Sequence, residues 1–207
     1  MSPLSGSAKR VKAVAFDIGG VLLRTEDQST RRVLEARFGL APGGLADLVF
    51  NSPVSQKATL GLAREEDVWA FVANRLKLVN GQLEELRRQF WAGDAWDETL
   101  LSFAEGLRPA ARTGVLSNAW PDARKAFASH LGPRTFDTVI ISAEEGCAKP
   151  DERIFRLLLE RLGTLPAETV FIDDLVENVE AAQAIGMQAI RFTSSAEVLD
   201  SVRRLLR

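Results

Sequence analysis

The chain has one cysteine, Cys147, and one histidine, His130, in 207 residues. A lone thiol excludes an intrachain disulfide and any zinc site built from several cysteines. His130 falls late in a helical stretch of surface character, which argues against a catalytic role. No apolar run approaches the ~18 residues that a membrane-spanning helix needs. The formal net charge of −2 leaves no basic footprint for nucleic acid or for an anionic membrane. The segment Met1–Arg10 is rich in Ser and Gly, and Lys12 and Asp17 interrupt the apolar stretch after it. It reads as a short disordered tail, not as a secretion signal, and a cytoplasmic location is expected. What remains is a globular composition, 46% apolar and 26% charged, enough for one domain with a modest insertion.

Brief β-branched or apolar runs predict buried strands over Val11–Phe16, Arg112–Leu116, Thr138–Ser142, Thr169–Ile172 and Gln188–Phe192. They alternate with helical spacing over Asp122–His130, Asp151–Leu162, Glu177–Ile185 and Ala196–Leu206. Such alternation predicts an α/β fold, a parallel sheet with helices on both faces. From about Arg24 to about Trp91 the rhythm breaks. No convincing strand occurs there; helical stretches Ser29–Phe38, Leu45–Phe50, Arg64–Leu78 and Gln82–Phe90 are punctuated by Pro42-Gly43-Gly44, Asn51-Ser52-Pro53 and Asn80-Gly81. The expected organisation is a core from residues 1–23 and 92–207, with residues 24–91 as a small all-helical cap inserted after the first strand. Within the cap, the loop Asn51–Gly61 is the candidate for substrate contact.

Polar clusters follow the predicted strands. The first strand ends in Asp17-Ile18-Gly19-Gly20, the second in Leu116-Ser117-Asn118, and the fourth in Asp173-Asp174 with Asn178 beyond; Lys149-Pro150-Asp151 opens a helix. Ligands bind at this edge of an open parallel sheet. Asp17 is either a nucleophile that attacks phosphorus or an Asp capping a glycine turn. Asp173 and Asp174 side by side call for a cation such as Mg²⁺, a hard ion suited to oxygen ligands; the plainer reading has Asp174 capping the helix after it, and both can hold for neighbouring residues. Ser117 and Asn118 stand at a helix entrance, a position for anions as well as for ordinary turns. Lys149, before a proline that suits the first turn of a helix, could neutralise phosphoryl oxygens or be a solvated loop lysine.

The ordered set Asp17-Ile18-Gly19-Gly20-Val21, Leu116-Ser117-Asn118, Lys149-Pro150 and Asp173-Asp174 with Asn178 resembles the four motifs of the haloacid dehalogenase superfamily. It is most similar to the phosphatase-like branch with a helical cap between the first and second motifs. The resemblance spans roughly residues 11 to 195. It implies a Rossmann-like core, Asp17 as nucleophile, and Mg²⁺ held by Asp17, the Gly19 carbonyl and one of the acidic pair, with Asp174 preferred. It implies phosphate binding by Ser117, Asn118 and Lys149, and support of the metal by Asn178 or Asp173. The expected partner is a small phosphorylated metabolite, taken by a monomer or homodimer.

One residue departs from the family pattern. Typical phosphatases of this family carry a second Asp two residues after the nucleophile, as general acid and base; here Gly19 stands there. Losing such a group costs about 10²–10⁴ in rate, and Glu26 and Asp27 are the nearest replacements in sequence. The expected activity is a Mg²⁺-dependent phosphatase. The alternative is a binding or regulatory protein that kept the pocket and weakened turnover.

Overall fold

The structure, a computed structural model, describes residues 10–79 and 81–207. The expected tail, apart from Arg10, and Asn80 of the Asn80-Gly81 turn lie outside the described residues. Five strands form one parallel sheet: β1 (Ala13–Phe16), β4 (Arg112–Ser117), β5 (Thr138–Ile141), β6 (Thr169–Asp173) and β7 (Gln188–Arg191), in the order β5-β4-β1-β6-β7. The fold is α/β and Rossmann-like. All five predicted strands are present; the three central ones, β1, β4 and β6, are buried almost throughout, as strands covered on both faces are, while the edge strands β5 and β7 are less covered.

The two faces of the sheet build two cores. Val14 and Phe16 pack with Val115, Ile172 and Val202 on one side; Ala13 and Ala15 face Phe155, Leu158 and Leu162 on the other. The latter three belong to α9 (Glu152–Leu162), whose buried stripe also includes Ile154 and Leu159. Asp151 accepts the Arg153 N–H at 2.9 Å as its cap, and Gly163 ends it in the left-handed region. Pro150 therefore sits one residue before the cap, outside the first turn where it was expected. α10 (Val176–Ala184) and α11 (Ser195–Leu205) match their predictions to within about two residues.

Elsewhere the chain departs from expectation. The predicted helix Asp122–His130 shrinks to α7 (Ala123–Ala126); beyond it, Ala128 N–H to Lys125 C=O and His130 N–H to Phe127 C=O bonds tighten the chain into turns. A strand also exists where none was expected: β2 (Leu23–Thr25) pairs antiparallel with β3 (Asp94–Trp96), Leu23 opposite Trp96 and Thr25 opposite Asp94. Three-residue strands are too short to display an alternation. Between them lie α1 (Ser29–Phe38), α2 (Gly44–Phe50), α3 (Pro53–Thr59), α4 (Glu65–Arg75) and α5 (Gln82–Trp91). Leu34, Leu45, Val49, Trp69, Val72, Leu86 and Phe90 form the core of this group, against which Trp91 and Trp120 pack. The loop expected at Asn51–Gly61 is largely α3, capped by Ser52, whose hydroxyl accepts the Ser55 N–H at 3.1 Å, with Pro53 in the first turn. α6 (Glu98–Gly106), capped by Asp97, leads back to β4, and the short α8 (Ser142–Glu145) follows β5.

Candidate functional site

The strand order reverses at β1, and Asp17 follows β1 directly. Its N–H continues the ladder to Ile172 C=O at 2.9 Å, so Asp17 stands level with Asp173 at the end of β6, while Ser117 ends β4 on the other side. Three adjacent strands thus deliver their polar ends to one edge. Asp17 Oδ1 accepts the Ile18 N–H at 2.7 Å and lies 2.9 Å from Lys149 Nζ. The same ammonium lies 2.6 Å from Asp173 Oδ2, and the lysine side chain is fully buried. Lys149 is no solvated loop residue. Removing one partner of such a buried arrangement leaves an uncompensated charge, which costs about 3–5 kcal/mol.

Lys149 is held from behind by Asn118. The Asn118 side-chain N–H₂ donates to the Lys149 carbonyl at 2.8 Å, and its oxygen accepts the Lys149 N–H at 2.8 Å. Expected as a phosphate ligand, the Asn118 side chain is committed instead to placing Lys149. Its backbone N–H is what it can offer an anion. Ser117 is buried beside it.

The acidic pair divides its tasks. Asp173 is fully buried, and its Oδ1 accepts both the Leu175 N–H at 2.9 Å and the Asn178 side-chain N–H₂ at 3.0 Å. Asp174 does not take the helix-capping role considered for it: α10 starts after Leu175 with no side-chain cap. Asp174 is half-buried and lies against Gly20: a Cβ on Gly20 would come within 2.4 Å of its carboxylate carbon. Sequence reading missed this function of Gly20, though the doubled glycine was its visible sign. Asp17, Asp173 and Asp174 each offer an oxygen, all within 4.8 Å of one another. Burial pushes the Asp17 carboxyl up to about 6, with Lys149 pulling it down and Asp173 pushing it further up. Asp174 is raised too, by burial first and by Asp173 second.

A cavity of about 580 Å³ opens over this edge, its floor formed by Gly19, Gly20, Ser117 and Asn118. A Cβ on Gly19 would meet nothing within 4 Å, so the missing side chain leaves open space there. Thr25 and Gln28 line the cavity, whereas Glu26 and Asp27 between them do not. Glu26 pairs with Arg24, and Asp27 accepts from the backbone and hydroxyl of Ser29. Neither is positioned by these contacts as a replacement acid. His130 stacks on Trp96, ring centroids 4.2 Å apart, outside the cavity lining.

The family model of haloacid dehalogenase-like hydrolases matches residues 11–186. The chain belongs to this family. Among its relatives, a sesquiterpene phosphatase of Aspergillus oryzae is 27% identical over 94% of this hydrolase and 96% of its own length. A D-ribitol-5-phosphate phosphatase of Bacteroides thetaiotaomicron is 25% identical, over 90% of this chain and 94% of its own. A family enzyme from the same bacterium, solved with magnesium and inorganic phosphate, shares the fold: TM-score 0.71 at 20% identity, covering 89% of this chain and 96% of that one.

The residues of this hydrolase fit the divalent ion that the family implies. Three carboxylates around one ammonium leave two negative charges when all are ionised, and the donors are oxygens alone. Such a set suits Mg²⁺ in preference to zinc or copper. The nitrogen and sulfur donors of His130 and Cys147 take no part in the cluster.

Proposed function

We propose that this hydrolase is a Mg²⁺-dependent phosphatase of small phosphorylated metabolites, working through an aspartyl phosphate on Asp17. The observation that carries the reading is one buried lysine held between Asp17 and Asp173 beside Asp174. A structural carboxylate has no need of this arrangement, whereas phosphoryl transfer consists of positioning and charge stabilisation. Asp17 attacks phosphorus, the bond to the leaving oxygen breaks, and water then attacks the phosphorus to release Asp17 and phosphate. Lys149 and the Ser117 hydroxyl bear on the phosphoryl oxygens, and Asn118 fixes Lys149. Asp17, Asp174 and the Gly19 carbonyl would hold Mg²⁺, with Asp173 and Asn178 behind them. When bound, the ion supplies positive charge against the phosphate. Its use by a structural relative crystallised with magnesium and phosphate supports this assignment.

Gly19 gives the reading a corollary. With no side chain to protonate the departing oxygen, substrates with good leaving groups, aryl or acyl phosphates, are favoured, and the phosphoenzyme builds up. No helix among the described residues is long and apolar enough to cross a membrane. A monomer or homodimer in the cytoplasm completes the proposal, in keeping with the single buried thiol of Cys147.

Hydrolysis of para-nitrophenyl phosphate with and without Mg²⁺, with Asp17→Asn as control, tests it. The expected result is Mg²⁺-dependent turnover abolished by the substitution. Activity that survives removal of the metal would overturn it. Phosphate binding with no turnover across a broad panel would favour a binding protein, the reading that Gly19 alone supports.

A further inference from the structure

The two named phosphatases among the relatives take alcohols of opposite character, so they do not choose a leaving group for this chain. The cavity does. Its walls above the phosphate end are aromatic: Phe50 from α2, Trp91 from α5, Trp120 after β4 and Phe127 after α7. Phe50 touches Trp91 and Trp120 with ring centroids 5.8 and 5.9 Å away, yet remains 42% exposed, an apolar surface turned to open space. Ala119, Ala123 and Ala126 line the same space and keep it wide.

Each charged residue on these walls is tied to a protein partner. Arg31 bonds Asp94 at 2.8 Å and the Phe90 carbonyl at 2.8 Å, and Thr25 donates to the same Asp94 at 2.7 Å. Glu65 accepts from Arg87 at 2.8 Å and from the Trp69 indole at 2.9 Å, while Arg24 is held by Asp97 and the Val21 carbonyl. The Trp120 indole N–H is spent on the Ser55 hydroxyl at 3.0 Å. A polyhydroxylated alcohol would have to break these pairs or lose its own hydration without recompense.

Resting on the phosphatase reading, we infer that the substrate's alcohol is a bulky apolar group seated among Phe50, Trp91, Trp120 and Phe127. A volume of about 580 Å³ lies within the range of small-molecule sites, whose lining is characteristically apolar with a few polar groups that fix orientation. Here the charged wall residues are tied to protein partners, and the aromatic wall offers only apolar contact to a substrate. The substrate class is an amphiphilic phosphomonoester, charged at its head and hydrophobic in its body.

The test compares octyl with ethyl compounds on the full chain. Binding of octylphosphonate and ethylphosphonate is measured by calorimetry in the presence of Mg²⁺, and kcat/KM is measured for octyl and ethyl phosphate. The two alcohols are alike as leaving groups, so the ratio isolates the apolar body. Each buried methylene strengthens association about fourfold, and seating half of the extra chain gives about a 50-fold preference. Ala123→Phe, which fills the cavity, should cut that preference at least tenfold; Ala126→Phe blocks the same wall should the first variant fail to fold.

A ratio near one, or a preference untouched by both filling variants, would overturn the inference. Long-chain preference in binding without turnover upholds this inference and sinks the phosphatase reading. Turnover without the preference does the reverse.

Discussion

Gly20→Ala isolates the placing of Asp174 from the rest of the site. The new methyl carbon would lie 2.4 Å from both Cγ and Oδ2 of Asp174 and 2.8 Å from Oδ1, far inside van der Waals contact. The backbone angle φ of +77° is one that alanine adopts at a cost of about 1–2 kcal/mol. For a domain of this size that corresponds to a fall in Tm of about 2–8 °C. Asp174 must also turn away, and a displaced or misoriented ligand weakens metal affinity by about 10–100-fold. Gly19→Ala is the matched control: its added carbon meets nothing within 4 Å, and Gly19 is not among the glycines with positive φ. Mg²⁺ titration followed by thermal shift, together with the Mg²⁺ dependence of turnover, reads both effects. Gly20→Ala should lose stability and Mg²⁺ affinity together while Gly19→Ala keeps both. Equal behaviour of the two variants would refute the reasoning, as would an unchanged Mg²⁺ response in Gly20→Ala.

Three further outcomes are expected. Gly19→Asp has open space for its side chain, so it should restore an acid and raise the rate with simple alkyl phosphates at least about tenfold relative to aryl phosphates; an unchanged ratio counts against the missing-acid argument. Asn118→Ala removes both bonds to the Lys149 backbone and should lower kcat/KM about 10–100-fold; wild-type kinetics would show that Lys149 needs no such support. Asp17 carries a folded-state value raised from 3.8 to about 6, so its protonated form is favoured in the fold. Its contribution is complete below the unfolded value and disappears as pH rises through about 6, up to about 3 kcal/mol in all. In EDTA the wild type should therefore lose stability relative to Asp17→Asn between about pH 4 and pH 6.5, and a flat difference in thermal melts would contradict this.

The sheet was legible because its three central strands are buried apolar runs that end in polar turns. Val11–Phe16 followed by Asp17 and two glycines announces both a buried strand and its functional end. Long helices such as Asp151–Leu162 were readable from an apolar stripe at helical spacing. What escaped lacked a period to read. The strands β2 and β3 are three residues long, and α3 is a short helix whose Ser52-Pro53 start looks like a loop when its end is hidden among Thr59, Leu60 and Gly61. At the site, residue types and order pointed to the cluster, but not to the division of labour within it. Which carboxylate is buried against Lys149 and Asn178 and which remains half-exposed depends on distances across the sheet. So does the closing of Asn118 onto Lys149, a contact between positions thirty-one apart in the chain.

The pairing of Thr25 with Asp94 has a consequence for how such a protein can change over generations. The chain departs for the helical group and comes back through two facing three-residue strands, so everything between is a closed loop with fixed ends. Lengthening such a loop costs little, about 0.6 kcal/mol for each doubling of a flexible one. The pairing of the strands that carry Asp17, Ser117 and Asp173 uses no residue from between β2 and β3. Insertions, deletions or exchange there would remodel the wall that Phe50 and Trp91 give the cavity without touching that pairing, so selection can change what the cavity admits apart from the groups at the sheet edge.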